Sequence, residues 1–297
     1  MKIKNINNLR NLKDKKIFLR LDFNVPMKAG KIKDDYKIQA GLETINFLLN
    51  KKAKLIIATH LGDPQGKVDK KLSTAPLARH LAKLSGLNVK FIPDLTEVKI
   101  KQAVLKIKSG EIIFLENLRF HPGELSNDNN FAKELASLVD IYINDAFAVS
   151  HRAQASVSAI KKYVPAYAGL LLAKEVQAIH RALKPKKPLV TIMGGAKIKT
   201  KAPLIKSLYP ASKFILLGGG LANNFLKFYG LEIGRSLYDK NSLPIIKKLL
   251  KNKLKNKKII LPIDVVIKDR AGKIKSKKIN EVKKSDTILD IGPETVN

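Results

Sequence analysis

Cationic and hydrogen-bonding side chains recur at one kind of place in this sequence, just after a short apolar run. Asp22 and Asn24 follow KIFLRL (16–21), His60 closes KLIIATH (54–60), Arg119 follows EIIFLE (111–116), and Arg152 follows DIYIND (140–145). If these runs are parallel strands, ligands gather beyond their carboxyl ends. The set would then line one sheet edge with groups suited to an anionic metabolite. Any single polar residue after a strand has an ordinary explanation as a turn or a helix cap. That applies equally to Glu116, Asn117, His121, Asn144, Asp145 and His151. Recurrence at four successive run ends is what favours a site.

Glycine marks a second group of candidates. GGAKIKTK (194–201) and GGGLANNF (218–225) each follow an apolar run and open a helical segment. Backbone N–H groups at such a turn point toward an anion, and glycine lets a phosphate approach closely. Gly194 and Gly195, and likewise Gly218, Gly219 and Gly220, are therefore candidate phosphate cradles. Lys197 and Lys201 are four residues apart and are predicted to share one helix face at its positive end. Tight strand–helix packing is the competing explanation. Neither segment has the Walker spacing, GxxxxGK followed by Ser or Thr, and neither matches GxGxxG.

The elements that must hold these residues follow from periodicity. Further apolar runs lie at PLVTIMGG (188–195), KFILLGGG (213–220), KIILPID (258–264) and TILDIG (287–292). Segments of helical period lie between most runs: 38–51, 75–84, 131–138 and 242–252. Such alternation predicts an α/β protein of parallel sheets covered by helices on both faces. KKYVPAYAG (161–169) breaks the rhythm with Pro165 and Gly169, and a helix over 170–184 follows, closed by Pro185 and Pro188. The predicted organisation is an N-terminal domain over 1–165, a linker and helix over 166–185, and a C-terminal domain over 186–297.

Composition bounds the function. A length of 297 residues suffices for two ordinary domains. No apolar run reaches the roughly 18 residues of a membrane helix, and the start has positive charge without an apolar core, so no signal peptide is expected. There is no cysteine, which excludes disulfides, thiolate nucleophiles and cysteine-bound metal and is compatible with the cytosol. Net charge is +32, from 57 Lys+Arg against 25 Asp+Glu. Nucleic-acid binding, focusing of a small polyanion into a cleft, and a plain lysine-rich bias all fit that figure. The lysines run along the whole chain without interleaved aromatic platforms, which favours the bias.

The motifs together are far more specific than any one of them. LDFNVP (21–26), HLG (60–62), ENLRFHPGE (116–124), NDAF (144–147), HRA (151–153), GGAK (194–197), GGGLA (218–222), EIGRSL (232–237), LPIDVV (261–266) and DIGPET (290–295) occur in this order. In this the chain strongly resembles phosphoglycerate kinase along essentially its full length. The resemblance implies two doubly wound, Rossmann-like domains separated by a cleft, with hinge closure. It implies a cytoplasmic, monomeric enzyme of glycolysis that moves a phosphoryl group between 1,3-bisphosphoglycerate and ADP, giving 3-phosphoglycerate and ATP. By motif, Asp22, Asn24, Lys37, His60, Arg119 and Arg152 would bind the phosphoglycerate. Lys197, Lys201, Gly194 and Gly195 would hold the nucleotide phosphates and, with Lys37, the transferring group. Gly218, Gly219, Gly220 and Leu261 would border the nucleoside. Mg2+ would accompany the nucleotide.

The chain departs from the family pattern in places. Lys37 and Asp63 stand where the family carries arginines, and Gln154 stands where a histidine is usual. Beyond Asn297 the resemblance calls for a further stretch with a glycine-rich loop and an aspartate serving the magnesium nucleotide. The second domain is therefore expected to be incomplete, and no metal ligand is named among these residues. A rival reading is an impaired relative or fragment whose basic surface binds RNA or another polyanion. The four retained cations Arg119, Arg152, Lys197 and Lys201 argue for the kinase.

Overall fold

The computed structural model describes residues 3–251 and 258–297, which form two compact units, through Ala178 and from Ile179 onward. In the first unit the strands are β1 (Lys16–Arg20), β2 (Met27–Lys28), β3 (Lys31–Ile32), β4 (Lys54–Ala58), β5 (Val89–Ile92), β6 (Ile112–Leu115), β7 (Ile141–Asn144) and β8 (Ala166–Ala168). Its helices are α1 (Tyr36–Asn50), α2 (Ala75–Ser85), α3 (Glu97–Lys106), α4 (Pro122–Leu125), α5 (Asn129–Ser137) and α6 (Leu170–Leu183), the last crossing into the second unit.

Six of these strands form one parallel sheet in the order β5-β6-β4-β1-β7-β8. Alternate residues of each strand enter different cores. Ile17, Leu19, Leu55 and Ile57 join Ile38, Ile45, Leu48, Leu77 and Leu81 from α1 and α2. Phe18, Ile56, Ala58 and Tyr142 join Ile100, Val104, Phe131 and Leu135 from α3 and α5. The sheet is buried on both faces, which is why its strands read as continuous apolar runs.

Local signals set the helix ends. In α1 the buried positions 38, 41, 45 and 48 keep one face inward. The side chain of Asp128 caps α5 by accepting from the Phe131 N–H, and Gly86, at φ 68°, closes α2. The segment around 163–168, expected to interrupt the alternation, instead supplies the short edge strand β8. Its backbone completes the pairing of β7.

The second unit holds β9 (Leu189–Met193), α7 (Ile198–Leu208), β10 (Ser212–Leu217), α8 (Gly219–Phe228), α9 (Ser242–Lys251), β11 (Ile259–Ile260), β12 (Asp264–Lys268), β13 (Ile274–Lys278), β14 (Thr287–Ile291) and α10 (Pro293–Val296). The helix expected over 242–252 is α9, and residue 252 lies outside the described residues. β11, β10 and β9 form a parallel sheet whose inner face, with Met193, Ile215 and Leu217, packs on α7, α8 and α9 through Ile198, Ile205, Leu221, Phe225 and Ile246. On its other face Val190, Phe214 and Ile260 are exposed, and Ile192 is 80% exposed. The register pairs Phe214 with Val190, and Leu216 with both Ile192 and Ile260, so these side chains form one patch.

β12, β13 and β14 form a separate antiparallel sheet. Strand–helix alternation did not foretell this, because hairpin-linked strands need no intervening helix. Among the described residues, no helix is long and apolar enough to cross a membrane.

Candidate anion sites at the carboxyl edges of the parallel sheets

The carboxyl ends of β1, β4, β6 and β7 are neighbours because the sheet places those strands side by side. A chain of contacts joins the predicted residues there. Lys37, in the first turn of α1, places Nζ 2.8 Å from Asp22 Oδ2. Asp22 Oδ1 accepts from the Asn24 N–H at 3.2 Å, and Asn24 Oδ1 accepts from the Gly62 N–H at 3.0 Å. The Gly62 carbonyl accepts from Arg119 Nη1 at 2.7 Å. Gly62 sits at φ 61°, where a Cβ would meet the Leu72 side chain at 2.7 Å, so glycine is favoured where this carbonyl meets the guanidinium.

Arg119 is held by a short helical turn after β6. Asn117 Oδ1 accepts from the Arg119 N–H, while Asn117 Nδ2 donates to the carbonyls of Leu61 and Leu72. The Nε and Nη2 atoms of Arg119 are buried and make no hydrogen bond among the described residues. Two N–H donors of a planar guanidinium, fixed and unsatisfied, form a receptor for two oxygens of an anion. Asp63 stands beside the fork, its Oδ1 3.6 Å from Nη1.

His60 lies at the floor of this edge and is 2% exposed. Burial first, then the charges of Arg20, Arg119, Lys37 and Arg152, push its pKa down to about 2. Arg152 is exposed in the loop after β7, and its charge acts on both His60 and Arg119. Contacts thus join Lys37, Asp22, Asn24 and Arg119, while His60 and Arg152 are related to them through their charges.

Several residues flagged with them serve structure instead. His121 Nδ1 accepts from the Gly123 N–H at the start of α4, and its ring stacks on Phe131 at 3.8 Å. Asn144 Oδ1 closes a turn at Ala146. Asp145 Oδ1 accepts from the Leu172 N–H in the first turn of α6, and burial raises its pKa. Gln154 is buried in the loop after β7, with Oε1 unpartnered among the described residues.

Arg20, Ser156 and Glu124 were not singled out from sequence. Arg20 is fully buried, and donates from Nε to Ser156 Oγ at 2.9 Å and from Nη1 to the Leu21 carbonyl at 2.5 Å. Ser156 in turn donates to the fully buried Glu124 carboxylate, from Oγ at 2.6 Å and from its N–H at 2.9 Å. The one signal available was an arginine inside an otherwise apolar strand, since buried charges are rare unless paired.

In the second unit the two glycine segments meet where β9 and β10 end side by side. A Cβ on Gly220 would come within 3.2 Å of the Ala196 Cα and 3.3 Å of the Gly195 carbonyl, so the two loops are in close backbone contact. Gly195, at φ 116°, and Gly219, at φ 57°, adopt conformations that favour glycine. Asn224 ties the loops together, donating to the Gly220 carbonyl at 2.6 Å and to the Ala196 carbonyl at 3.4 Å. Gly194 and Gly218 lie in the same loops, and Leu261 follows β11 at the same sheet edge, partly buried against the core.

The two lysines correct the sequence reading. Lys197 has extended backbone angles (φ −95°, ψ 107°) and precedes α7, which begins at Ile198. The shared-face argument therefore fails for this pair. Lys201 is inside the first turn, and its Cε lies 3.5 Å from where a Cβ on Gly195 would stand, so its stem reaches the loop. A lysine stem and two glycine turns at helix starts meet here, a combination whose chemistry suits an anionic phosphate and not a cation. Among the described residues there is no cluster of three or more His, Asp or Glu able to hold a metal ion.

Comparison with known proteins gives one family. A family model described as phosphoglycerate kinase matches residues 6–297. The phosphoglycerate kinase of Moorella thermoacetica is 41% identical over 291 residues, covering 96% of this chain and 74% of its own length. That of Geobacter metallireducens is 44% identical over 303 residues, covering 100% of this chain and 76% of its own. The solved structure of phosphoglycerate kinase from Coxiella burnetii aligns with a TM-score of 0.86 at 38% identity, covering 99% of this chain and 75% of that one.

Proposed function

Because this chain belongs to the phosphoglycerate kinase family, we propose that it carries out reversible phosphoryl transfer between 1,3-bisphosphoglycerate and ADP, with 3-phosphoglycerate bound by the first unit and the nucleotide by the second. The observation that carries the assignment is the buried Arg119 with two unsatisfied N–H groups, at the end of a contact chain through Gly62, Asn24, Asp22 and Lys37.

In this reading Arg119 and Arg152 take the substrate phosphate, Asp22 accepts from the glycerate hydroxyl, and Asn24 and His60 complete the polar lining. Lys37 neutralises the group in transit. Lys197, Lys201 and the N–H groups of Gly194 and Gly195 hold the nucleotide phosphates, while Gly218, Gly219, Gly220 and Leu261 border the nucleoside. In the direction of ATP use, a carboxylate oxygen of 3-phosphoglycerate forms a bond to the γ-phosphorus as the bond to the β–γ bridging oxygen breaks, releasing ADP. Protein groups need only position the reactants and offset charge on the equatorial oxygens. The family uses ATP and ADP with Mg2+, and no described residue is assigned as its ligand. RNA binding by the basic surface is not favoured beside the family match.

The test separates the two half-sites. Arg119→Ala should weaken 3-phosphoglycerate binding by about 100-fold, the scale of a lost charged hydrogen-bond pair, and leave ADP affinity unchanged. Lys201→Met should do the reverse. Calorimetric titration of each ligand reads both, and a variant that weakens the two ligands equally would sink the assignment. A coupled assay on the unsubstituted chain, showing ATP consumption dependent on 3-phosphoglycerate, completes the test.

A further inference from the structure

His60 is surrounded by cations, so its own charge state decides how it meets an anion. Its Nδ1 lies 3.2 Å from Arg20 Nη2. A guanidinium has donors and no acceptor, so this contact is a hydrogen bond only if Nδ1 carries a lone pair. Arg20 has little freedom to turn away. Nε is fixed on Ser156, which is anchored on Glu124, and Nη1 is fixed on the Leu21 carbonyl. Tyr142 OH adds a bond to the Ser156 carbonyl at 2.7 Å, holding the loop that carries Ser156. The remaining ring nitrogen, Nε2, makes no hydrogen bond among the described residues.

We propose that Arg20 is a positioning residue that locks His60 as the neutral Nε2–H tautomer, so that His60 meets the bound anion as a hydrogen-bond donor and not as a cation. The inference rests on the reading of this edge as the phosphoglycerate half-site. It assigns a role to the buried line Glu124–Ser156–Arg20, which ends on His60 Nδ1. Arg20 touches the imidazole, and burial together with the charges of Arg20, Arg119, Lys37 and Arg152 opposes a second proton. A neutral donor adds directionality to a site already rich in charge, and its strength does not vary as pH crosses the ordinary histidine range.

Nitrogen-15 NMR of the protein labelled at histidine decides the matter, with the His60 signals assigned by their loss in His60→Gln. The expected result is the Nε2–H pattern from pH 5 to 9, unchanged when 3-phosphoglycerate is added, with a shift of the Nε2 resonance on binding. An Nδ1–H pattern, titration of His60 within that range, or an imidazolium on binding would overturn the proposal. Arg20→Met should leave His60 neutral, through burial and the remaining cations, but mix its tautomers, whereas a locked Nε2–H form in that variant would overturn the role of Arg20. If Arg20→Met does not fold, Ser156→Ala, which frees Nε of Arg20 while keeping its charge, is expected to broaden the tautomer ratio, and an unchanged ratio counts against the proposal. Should 3-phosphoglycerate fail to bind, the functional reading falls, while the spectrum of the unliganded protein still decides the tautomer.

Discussion

Asp63 Oδ1 stands 3.6 Å from Nη1 of Arg119, its side chain 58% exposed where that of the arginine is 4% exposed. An acid thus sits on the rim of the proposed anion site, beside the guanidinium and open to solvent. Asp63→Asn is expected to tighten 3-phosphoglycerate binding about threefold at low salt, the scale of one half-exposed charge. The gain should shrink at high ionic strength through screening. Calorimetry at two salt concentrations checks it, and unchanged affinity at both would place Asp63 outside the reach of the ligand.

Lys37 reaches Asp22 at 2.8 Å, with its side chain partly open to solvent. An arginine there can keep the Asp22 contact and still offer a second N–H to the transferring group, which a single ammonium does less well. Lys37→Arg should raise kcat about tenfold with little change in KM, since the added bond is strongest in the transition state. Steady-state kinetics read this directly, and a fall in kcat would show that the surroundings are fitted to lysine.

The depressed pKa of His60 is also a stability statement. The folded value is about 2 against 6.5 for the free side chain, so below pH 6.5 the unfolded chain takes up a proton that the folded chain does not. Stability from this residue is intact above pH 6.5 and is lost as pH falls toward 2, at about 1.4 kcal/mol per unit. Urea unfolding of the first unit at pH 7 and pH 5 should show a drop about 2 kcal/mol larger in the parent chain than in His60→Gln. Equal drops would mean that His60 is protonated in the native state.

Gly234 occupies φ 60°, and a Cβ there would stand 2.1 Å from the Asp286 carbonyl oxygen and 2.7 Å from that of Lys283. Both obstacles are backbone, so no rotamer change relieves them. Gly234→Ala should destabilise the second unit by about 3 kcal/mol or more, combining positive-φ strain with overpacking. Limited proteolysis should then cut the second unit early and spare the first. Parent-like resistance would refute this.

Much of the first unit was legible because its sheet is buried on both faces. Strands such as IFLR and LIIA carry no polar alternation to confuse them with anything else. The edge strands β5 and β8 were missed because β5, VKFI, is short and interrupted by a lysine and β8, AYA, is only three residues long, each with a single buried position. The candidates Asp22, Asn24, His60, Arg119 and Arg152 stood out as polar groups following apolar runs, whereas Lys37 came only from the resemblance. Arg20 could not, because its role depends on Ser156, 136 positions away in the chain. The Lys197–Lys201 pairing failed for a local reason, since spacing alone does not tell where a helix begins. The antiparallel strand β13 was hidden by lysines at exposed positions, IKSKK, which no apolar-run search detects, whereas β12, DVVIK, was passed over because the apolar run KIILPID was read as ending at Asp264.

The patch of Val190, Ile192, Phe214 and Ile260 on the second unit's parallel sheet leaves oily carbon facing water where such sheets are ordinarily sandwiched. Its consequence is thermal as much as structural. The attraction between wet apolar surfaces weakens on cooling and strengthens on warming toward physiological temperatures, while the lysine-rich exterior repels like copies at every temperature and most strongly in dilute buffer. The chain therefore carries two opposed terms in its intermolecular force, one governed by heat and the other by salt. For this 297-residue chain, cold, salt-poor solutions are expected to keep copies apart and warm, salty ones to draw these faces together, which light scattering across temperature and salt would check.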